Sequence, residues 1–129
     1  MATSSRREAE LFRTVVCSAA EDVRDFVYFP AADTVRKVDI DDPAKMWAVA
    51  IVVQKLGITT CVVQLSGVVA GLHSGLVMGK PVYADINAVA SQALSYPATG
   101  VRFNQVVGIP TSPTDLKLEF QTPIGLVPL

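Results

Sequence analysis

Hydrophobic and polar residues alternate with a period of two in several short segments, the pattern of half-buried β-strands. The alternation is clearest where Leu116, Leu118 and Phe120 are separated by single polar residues. Residues 101–107 and 58–65 alternate in a similar way and are rich in β-branched side chains. These three segments are predicted to be strands.

Two further apolar-rich runs, residues 24–29 and 34–38, are predicted to form an antiparallel hairpin. Residues 30–33 between them have the length and residue types of a four-residue hairpin loop. Asp42 followed by Pro43 predicts the N-cap and first position of a single helical turn. Elsewhere proline or glycine recurs at intervals too short for an ordinary helix of about 11–12 residues.

Two segments are apolar without alternation. Met46–Val53 is apolar at every position, so a strand there needs cover on both faces. Such a strand is expected to be central, or to have its outer face in a subunit interface. Ile124–Leu129 would form an adhesive patch if left uncovered, so the C-terminal segment is expected to be docked.

These patterns predict an all-β fold, a small antiparallel sandwich or barrel of roughly 8–10 short strands with at most one or two single-turn helices. Polar residues 1–10 are expected to form a flexible N-terminal arm, and residues 11–129 a single β domain with an apolar tail. Residues 86–94 could form a short helix or a surface loop. Three short segments within residues 27–63 resemble three within residues 82–118, through duplication or chance.

Composition narrows the possible partners. Half of the residues are hydrophobic and only 18% are charged, which suggests that some apolar surface meets another chain. A net charge of −1 gives no electrostatic reason to expect nucleic acid or an anionic membrane. The apolar stretches are shorter than the roughly 20 residues of a membrane helix, and the first residues lack an apolar signal core.

Candidate catalytic residues are few. His73 is the only histidine and lies among turn residues, so it is predicted to be a surface-turn histidine rather than part of a catalytic set. Cys17 and Cys61 are too few for a disulfide framework and are predicted to be buried, reduced thiols, with a cross-strand disulfide as the alternative.

Candidate metal and phosphate sites are equally sparse. The acidic cluster Asp39, Asp41 and Asp42 lacks the further oxygen ligands of a Ca²⁺ loop and is predicted to be a solvated turn. The glycines at 71, 75 and 79 fit no phosphate-binding motif and are predicted to lie in turns. The sequence therefore predicts a protein without enzymatic activity, metal or cofactor.

Several blocks resemble, in their order and spacing, a recurrent structural module of tailed-phage particles. The resemblance covers roughly Leu11 to Leu129. Its blocks are Asp25–Tyr28, Thr34–Met46, Ala50–Val53, Thr60–Gly67, Gly75–Tyr83 and Val106–Phe120. Proteins of this kind are capsid decoration or cement proteins, head fibres and tail-fibre domains, often trimeric. The resemblance implies synthesis in the host cytoplasm, a place on the virion surface and a binding role.

The leading hypothesis is a capsid decoration protein that binds and stabilises the assembled phage head. Its partners would be copies of itself, as a homotrimer, and the major capsid protein or another virion protein. The alternative is a head-fibre or tail-fibre module that binds a host-surface receptor; a small β-barrel hydrolase lacks a catalytic set. The predicted contact residues are Arg6, Arg7, Leu11, Phe12, Trp47, Val49, Ile51, Ile124, Leu126, Val127 and Leu129.

Overall fold

The computed structural model describes residues 11–129, which form eleven strands and two single 3₁₀ turns. The strands are β1 (Phe12–Val16), β2 (Phe26–Ala31), β3 (Thr34–Lys37), β4 (Ala50–Lys55), β5 (Thr60–Gln64), β6 (Val68–Val69), β7 (Val82–Ala84), β8 (Ala90–Ser91), β9 (Arg102–Pro110), β10 (Leu116–Leu118) and β11 (Ile124–Leu126). The turns lie at Pro43–Lys45 and Ile86–Ala88. The prediction of an all-β fold is confirmed.

The first five strands close into a barrel in the order β1-β3-β2-β4-β5, with β5 paired to β1. The remaining strands form a curled sheet in the order β6-β10-β9-β7-β8, and β11 pairs with the free end of β9. All pairs are antiparallel except the short contact between β1 and β3, where Val16 lies opposite Thr34. The barrel and the sheet are therefore consecutive along the chain.

The two halves share one topology. Written from the same starting point, the barrel order is β3-β2-β4-β5-β1 and the sheet order is β8-β7-β9-β10-β6, with each corresponding pair antiparallel. The three similar sequence segments fall on β2, β4 and β5 and on β7, β9 and β10. A duplicated β unit gives this correspondence, while the closing β1–β3 contact and β11 have no counterpart.

Two apolar clusters form the core. The barrel interior is filled mainly by valines and both cysteines, and a second cluster lies between the barrel and the sheet. Strand β4 contributes Ala50 and Val52 to the first cluster and Ile51 to the second. Its two apolar faces are thus both covered by its own chain. The prediction that Ile51 contacts another subunit is wrong, because its side chain is fully buried.

Several local predictions are confirmed and two boundaries differ. Strand β10 buries Leu116 and Leu118, and the Asp42 carboxylate accepts from Ala44 N at 2.9 Å as an N-cap. Strand β4 begins at Ala50, and residues 46–49 form an extended connection before it. The β2–β3 loop is only two residues long, because an irregularity in pairing carries β2 through residue 31.

A buried side-chain amide joins the two halves. Gln105 on β9 is 1% exposed and lies against Ala48, just before β4. Its Nε2 donates to Ala48 O at 2.8 Å, and its Oε1 accepts from Ala48 N at 2.8 Å. The Gln105 amide thus binds Ala48 as the backbone of a paired strand would. It satisfies both the N–H and the C=O of Ala48, which has no exposed surface.

We predict that Gln105→Ala lowers the free energy of unfolding by about 3 kcal/mol, because it leaves the N–H and C=O of Ala48 buried without partners. Urea unfolding monitored by far-UV circular dichroism measures the change. The matched control is Gln54→Ala, which removes the same group from an exposed position of β4. Equal losses in the two variants would contradict the role assigned to the Gln105 amide.

A close approach of two strands gives a second prediction. A Cβ added at Gly108 on β9 would lie 2.4 Å from Lys117 O and 2.9 Å from Leu116 Cγ. Gly108→Ala should therefore destabilise the fold by about 2 kcal/mol through overpacking, measured by thermal unfolding. Gly57→Ala is the control, since a Cβ there meets nothing within 4 Å. A neutral Gly108→Ala would show that β10 can move away without cost.

Candidate functional site

An open groove of about 580 Å³ lies where the barrel meets the sheet. Its lining is strongly aromatic and carries no charged side chain. The lining residues are Tyr28, Phe29, Pro43, Met46, Trp47, Val49, Phe103 and Pro123. A concave apolar surface of this size falls in the range that holds a small ligand or a few side chains of a partner. We call it the aromatic groove.

The buried amide of Gln105 positions two residues of the aromatic groove. Trp47 and Val49 flank Ala48, whose N–H and C=O both bind that amide, and Val49 N donates to Val27 O at 3.0 Å. These contacts hold the connection before β4 against the groove wall. The Trp47 side chain nevertheless remains 53% exposed, so its ring is open to a partner.

Strand β11 borders the aromatic groove. Gly125 lies opposite Phe103, and a Cβ at position 125 would come within 3.7 Å of the Phe103 ring and 2.9 Å of Val101 Cγ1. Glycine thus lets these side chains lie close to the β11 backbone. This pairing docks only part of the predicted C-terminal segment, because Ile124 stays 54% exposed and Val127 and Leu129 are 62% and 98% exposed.

The predicted contact residues of the two apolar segments are divided between the aromatic groove and β11 beside it. Trp47 and Val49 line the aromatic groove, and β11 follows directly after Pro123 at its border. Leu126 is half-buried on β11, while Val127 and Leu129 are exposed. The two segments thus come close at Pro123, although they are about 75 residues apart in sequence.

A second apolar surface lies on the outside of β1. Phe12 and Val16 are 42% and 51% exposed on this strand. Leu11 is half-buried, and its carbonyl accepts from Leu65 N at 2.8 Å. The predicted contact residues Arg6 and Arg7 lie outside the described residues.

His73 does not lie on the surface, so that prediction is wrong. Gly71 and Gly75 have positive φ angles and form turns on either side, as predicted. Leu72 and Leu76 pack against the core between barrel and sheet, and they carry His73 inward to 9% exposure. Within the described part of the chain, neither ring nitrogen has a hydrogen-bond partner. Burial lowers the pKa of His73, and the nearby charge of Arg24 lowers it further.

Both cysteines are buried, free thiols in the barrel, as predicted. Burial raises the pKa of Cys61 to about 12, and the neighbouring Cys17 thiol adds to the shift. A thiol with so high a pKa forms little of the thiolate that acts as a nucleophile at neutral pH. The geometry therefore favours a packing role for this pair.

The acidic cluster is occupied by structural contacts. Asp42 caps the 3₁₀ turn, and Asp41 forms an ion pair with Arg102 at 2.8 Å. The Asp39 carboxylate accepts from Asp41 N at 3.0 Å. Across residues 11–129, no group of three or more histidine, cysteine or acidic side chains is placed to hold a metal ion.

Sequence reasoning missed a buried carboxylate at one end of the barrel. Glu21 is 2% exposed and accepts hydrogen bonds from Ser18 N and Ser18 Oγ, both at 2.7 Å. Burial alone would raise its pKa, but these bonds, a bond from Lys37 N and the charge of Arg36 lower it overall. Nothing in the sequence distinguishes Glu21 from a surface glutamate, because its partners come from separate segments.

Comparisons of the chain with protein families, curated proteins and solved structures give no match. Among residues 11–129, no helix is long and apolar enough to cross a bilayer. The functional interpretation therefore depends on the residues and surfaces of this chain alone.

The buried histidine predicts a pH dependence. With its pKa lowered, native His73 binds fewer protons than the unfolded chain below about pH 6.5, so stability should fall as the pH drops. We expect urea unfolding between about pH 7.5 and about pH 5.5 to show this loss, at most about 1.4 kcal/mol per pH unit. His73→Phe should show a flatter dependence.

The comparison with His73→Phe also removes other contributions. Burial raises the pKa of Asp25, which adds a trend of opposite sign, since its stabilisation is lost as the pH rises. Because Asp25 is present in both proteins, its effect cancels in the difference. Identical pH profiles for wild type and variant would refute the assignment to His73.

Proposed function

We propose that this protein is a non-enzymatic structural protein of a virus particle, namely a capsid decoration protein that binds and stabilises the assembled phage head. One structural observation supports a binding role above the others. Two separate apolar surfaces, the aromatic groove with β11 and the outer face of β1, are left uncovered by the rest of residues 11–129.

The two surfaces lie on opposite sides of the barrel. In the closed order β1-β3-β2-β4-β5, strand β1 is separated from both β2 and β4 by one strand in each direction. Strands β2 and β4 face the curled sheet and, with the connection before β4, supply the barrel side of the aromatic groove. A protein with exposed apolar surfaces on opposite sides can contact two neighbours at once. This suits a cement protein, which links neighbouring subunits.

The energetics of such a role agree with these surfaces. Burying apolar area contributes about 25 cal/mol per Å², so each surface alone supports a weak contact. Many copies on a symmetric shell strengthen binding through multivalency, and binding that requires the assembled shell stabilises it by mass action. Reactive side chains are not needed, and the burial of His73, Cys17 and Cys61 supports this interpretation.

We expect that placing charges on the outer face of β1 weakens attachment to particles. Phe12→Asp combined with Val16→Asp should reduce the affinity for shells lacking the protein at least about tenfold, because a charge buried without a partner is costly. Co-sedimentation with purified particles measures the effect. The control is Val77→Asp, at an exposed loop position away from both surfaces.

If the double variant is folded by circular dichroism and still attaches fully, the outer face of β1 is not the surface that binds the particle. The copy number per virion, measured by cryo-EM or gel densitometry, then tests the location. A decoration protein is present in many copies distributed over the head, whereas a fibre tip is present in few.

The second candidate, a fibre module that binds a host-surface receptor, is favoured by the aromatic groove. Exposed aromatic rings are frequent at recognition sites, and Tyr96, outside the strands, is 39% exposed. The structure adds Trp47, half-exposed at the groove. A low copy number together with loss of host-cell binding in Trp47→Ala would favour this candidate over decoration.

A further inference from the structure

The aromatic groove and the exposed segment after β11 are complementary in chemistry. We propose that residues Val127–Leu129 of one copy of this chain bind in the aromatic groove of a second copy. This self-association concerns the isolated protein, so it holds or fails independently of the particle assignment. Both partners of the contact are present in every copy.

Charge supports this pairing. None of the eight residues lining the aromatic groove is charged, and residues 122–129 also lack charged side chains. Docking one on the other therefore removes no ionised side chain from water, while the terminal carboxylate of Leu129 must stay in contact with solvent. A ligand with many hydroxyl groups would find few polar side-chain partners there, chiefly the Tyr28 hydroxyl and the Trp47 indole N–H. The side chains of the lining are thus suited to an apolar peptide segment.

The residue types of the segment fit the shape of an aromatic groove. Pro128 fixes its own φ angle and restricts Val127 before it to extended conformations. Such segments lose little conformational entropy on binding, and aromatic-lined grooves are a recurring site for them. The Trp47 indole N–H can donate a hydrogen bond to a backbone carbonyl of the segment. Leu129 adds an apolar side chain that is 98% exposed.

The direction of β11 makes a second copy the natural partner. Pro123 lies at the border of the aromatic groove, and from there β11 runs antiparallel to β9 toward Arg102. Each residue advances an extended chain by about 3.3 Å, so Val127–Leu129 reaches up to about 10 Å beyond the end of β11. In this register the segment continues past Arg102 and away from Pro123, so its own groove lies behind it and a second copy can supply the groove that it fills.

The contact joins two different surfaces, so each copy has one donor segment and one acceptor groove. Two copies can exchange segments reciprocally, or successive copies can close a ring. In either arrangement every groove is filled, and the exposed Trp47, Val127 and Leu129 become covered. This removes the adhesive patch that an isolated copy would present.

The first experiment measures the mass of the full chain in solution. Light scattering after size-exclusion chromatography should give a mass of at least two copies of the 13.7 kDa chain. Removing residues 127–129, or introducing Trp47→Ala, should give a monomer, with circular dichroism confirming that each variant is folded. Met78→Ala is the matched control, because Met78 is similarly exposed but lies outside the groove.

A mixing experiment tests the two-surface geometry. The truncated protein keeps an intact groove, and Trp47→Ala keeps an intact segment, so an equimolar mixture should restore one contact and form a 1:1 heterodimer. If neither variant associates alone, recovery in the mixture cannot come from a single self-complementary patch. Continued monomer behaviour of the mixture of folded variants would overturn the proposal.

Fluorescence provides a direct report from the groove, because Trp47 is the only tryptophan in the chain. Titrating the truncated protein with a peptide of sequence Gly-Leu-Val-Pro-Leu should shift the emission saturably to shorter wavelength, whereas Gly-Leu-Asp-Pro-Asp should have no effect. A monomeric full chain, unchanged assembly after truncation, or a shift produced by host glycans but not by the peptide would each overturn the proposal.

Discussion

The fold depends on the apolar layer shared by the barrel and the sheet. Strand β4 is its central element, because alternate residues fill the barrel on one face and contact the sheet on the other. Within this layer Phe26 packs edge-on against Phe120, with ring centroids 6.5 Å apart. Neither half could expose this face to water without a large loss of apolar burial. Apolar packing alone does not fix how the two halves are oriented. The two hydrogen bonds between the Gln105 amide and the Ala48 backbone are directional, so they also set the relative orientation of the halves.

Sequence patterns correctly predicted those elements that depend on local features of the chain or that bury one face against one neighbouring layer. The alternation around Leu116 and Leu118 and the cap at Asp42 are local features, and both occur as predicted. The prediction for Ile51 was wrong because a continuous apolar run shows only that both faces of the strand are buried. It does not show whether the same chain or another subunit covers each face. The prediction that His73 lies on the surface was wrong for a related reason. The turn residues around it are a local feature of the sequence, whereas its burial depends on distant strands. The aromatic groove could not be predicted, since its residues come from four separate parts of the chain.

The repeated topology explains the difference between the two halves. In the first half, Val16 N donates to Asp33 O at 2.8 Å and β1 meets β3, so the strands close into a barrel. The corresponding strands of the second half, β6 and β8, have only two residues each. Strands that short leave little backbone for a closing ladder, and the sheet stays open, with its apolar face packed on the barrel.

The aromatic groove arises where the correspondence between the halves breaks down. Strand β9 has nine residues, against six in its counterpart β4, and β10 pairs only with residues 108–110. The free end of β9 is covered by β11, which has no equivalent in the barrel. This additional pairing brings Phe103 and Pro123 beside Trp47 and gives the exposed segment its direction. The aromatic groove is thus formed beside the one strand that has no counterpart in the barrel.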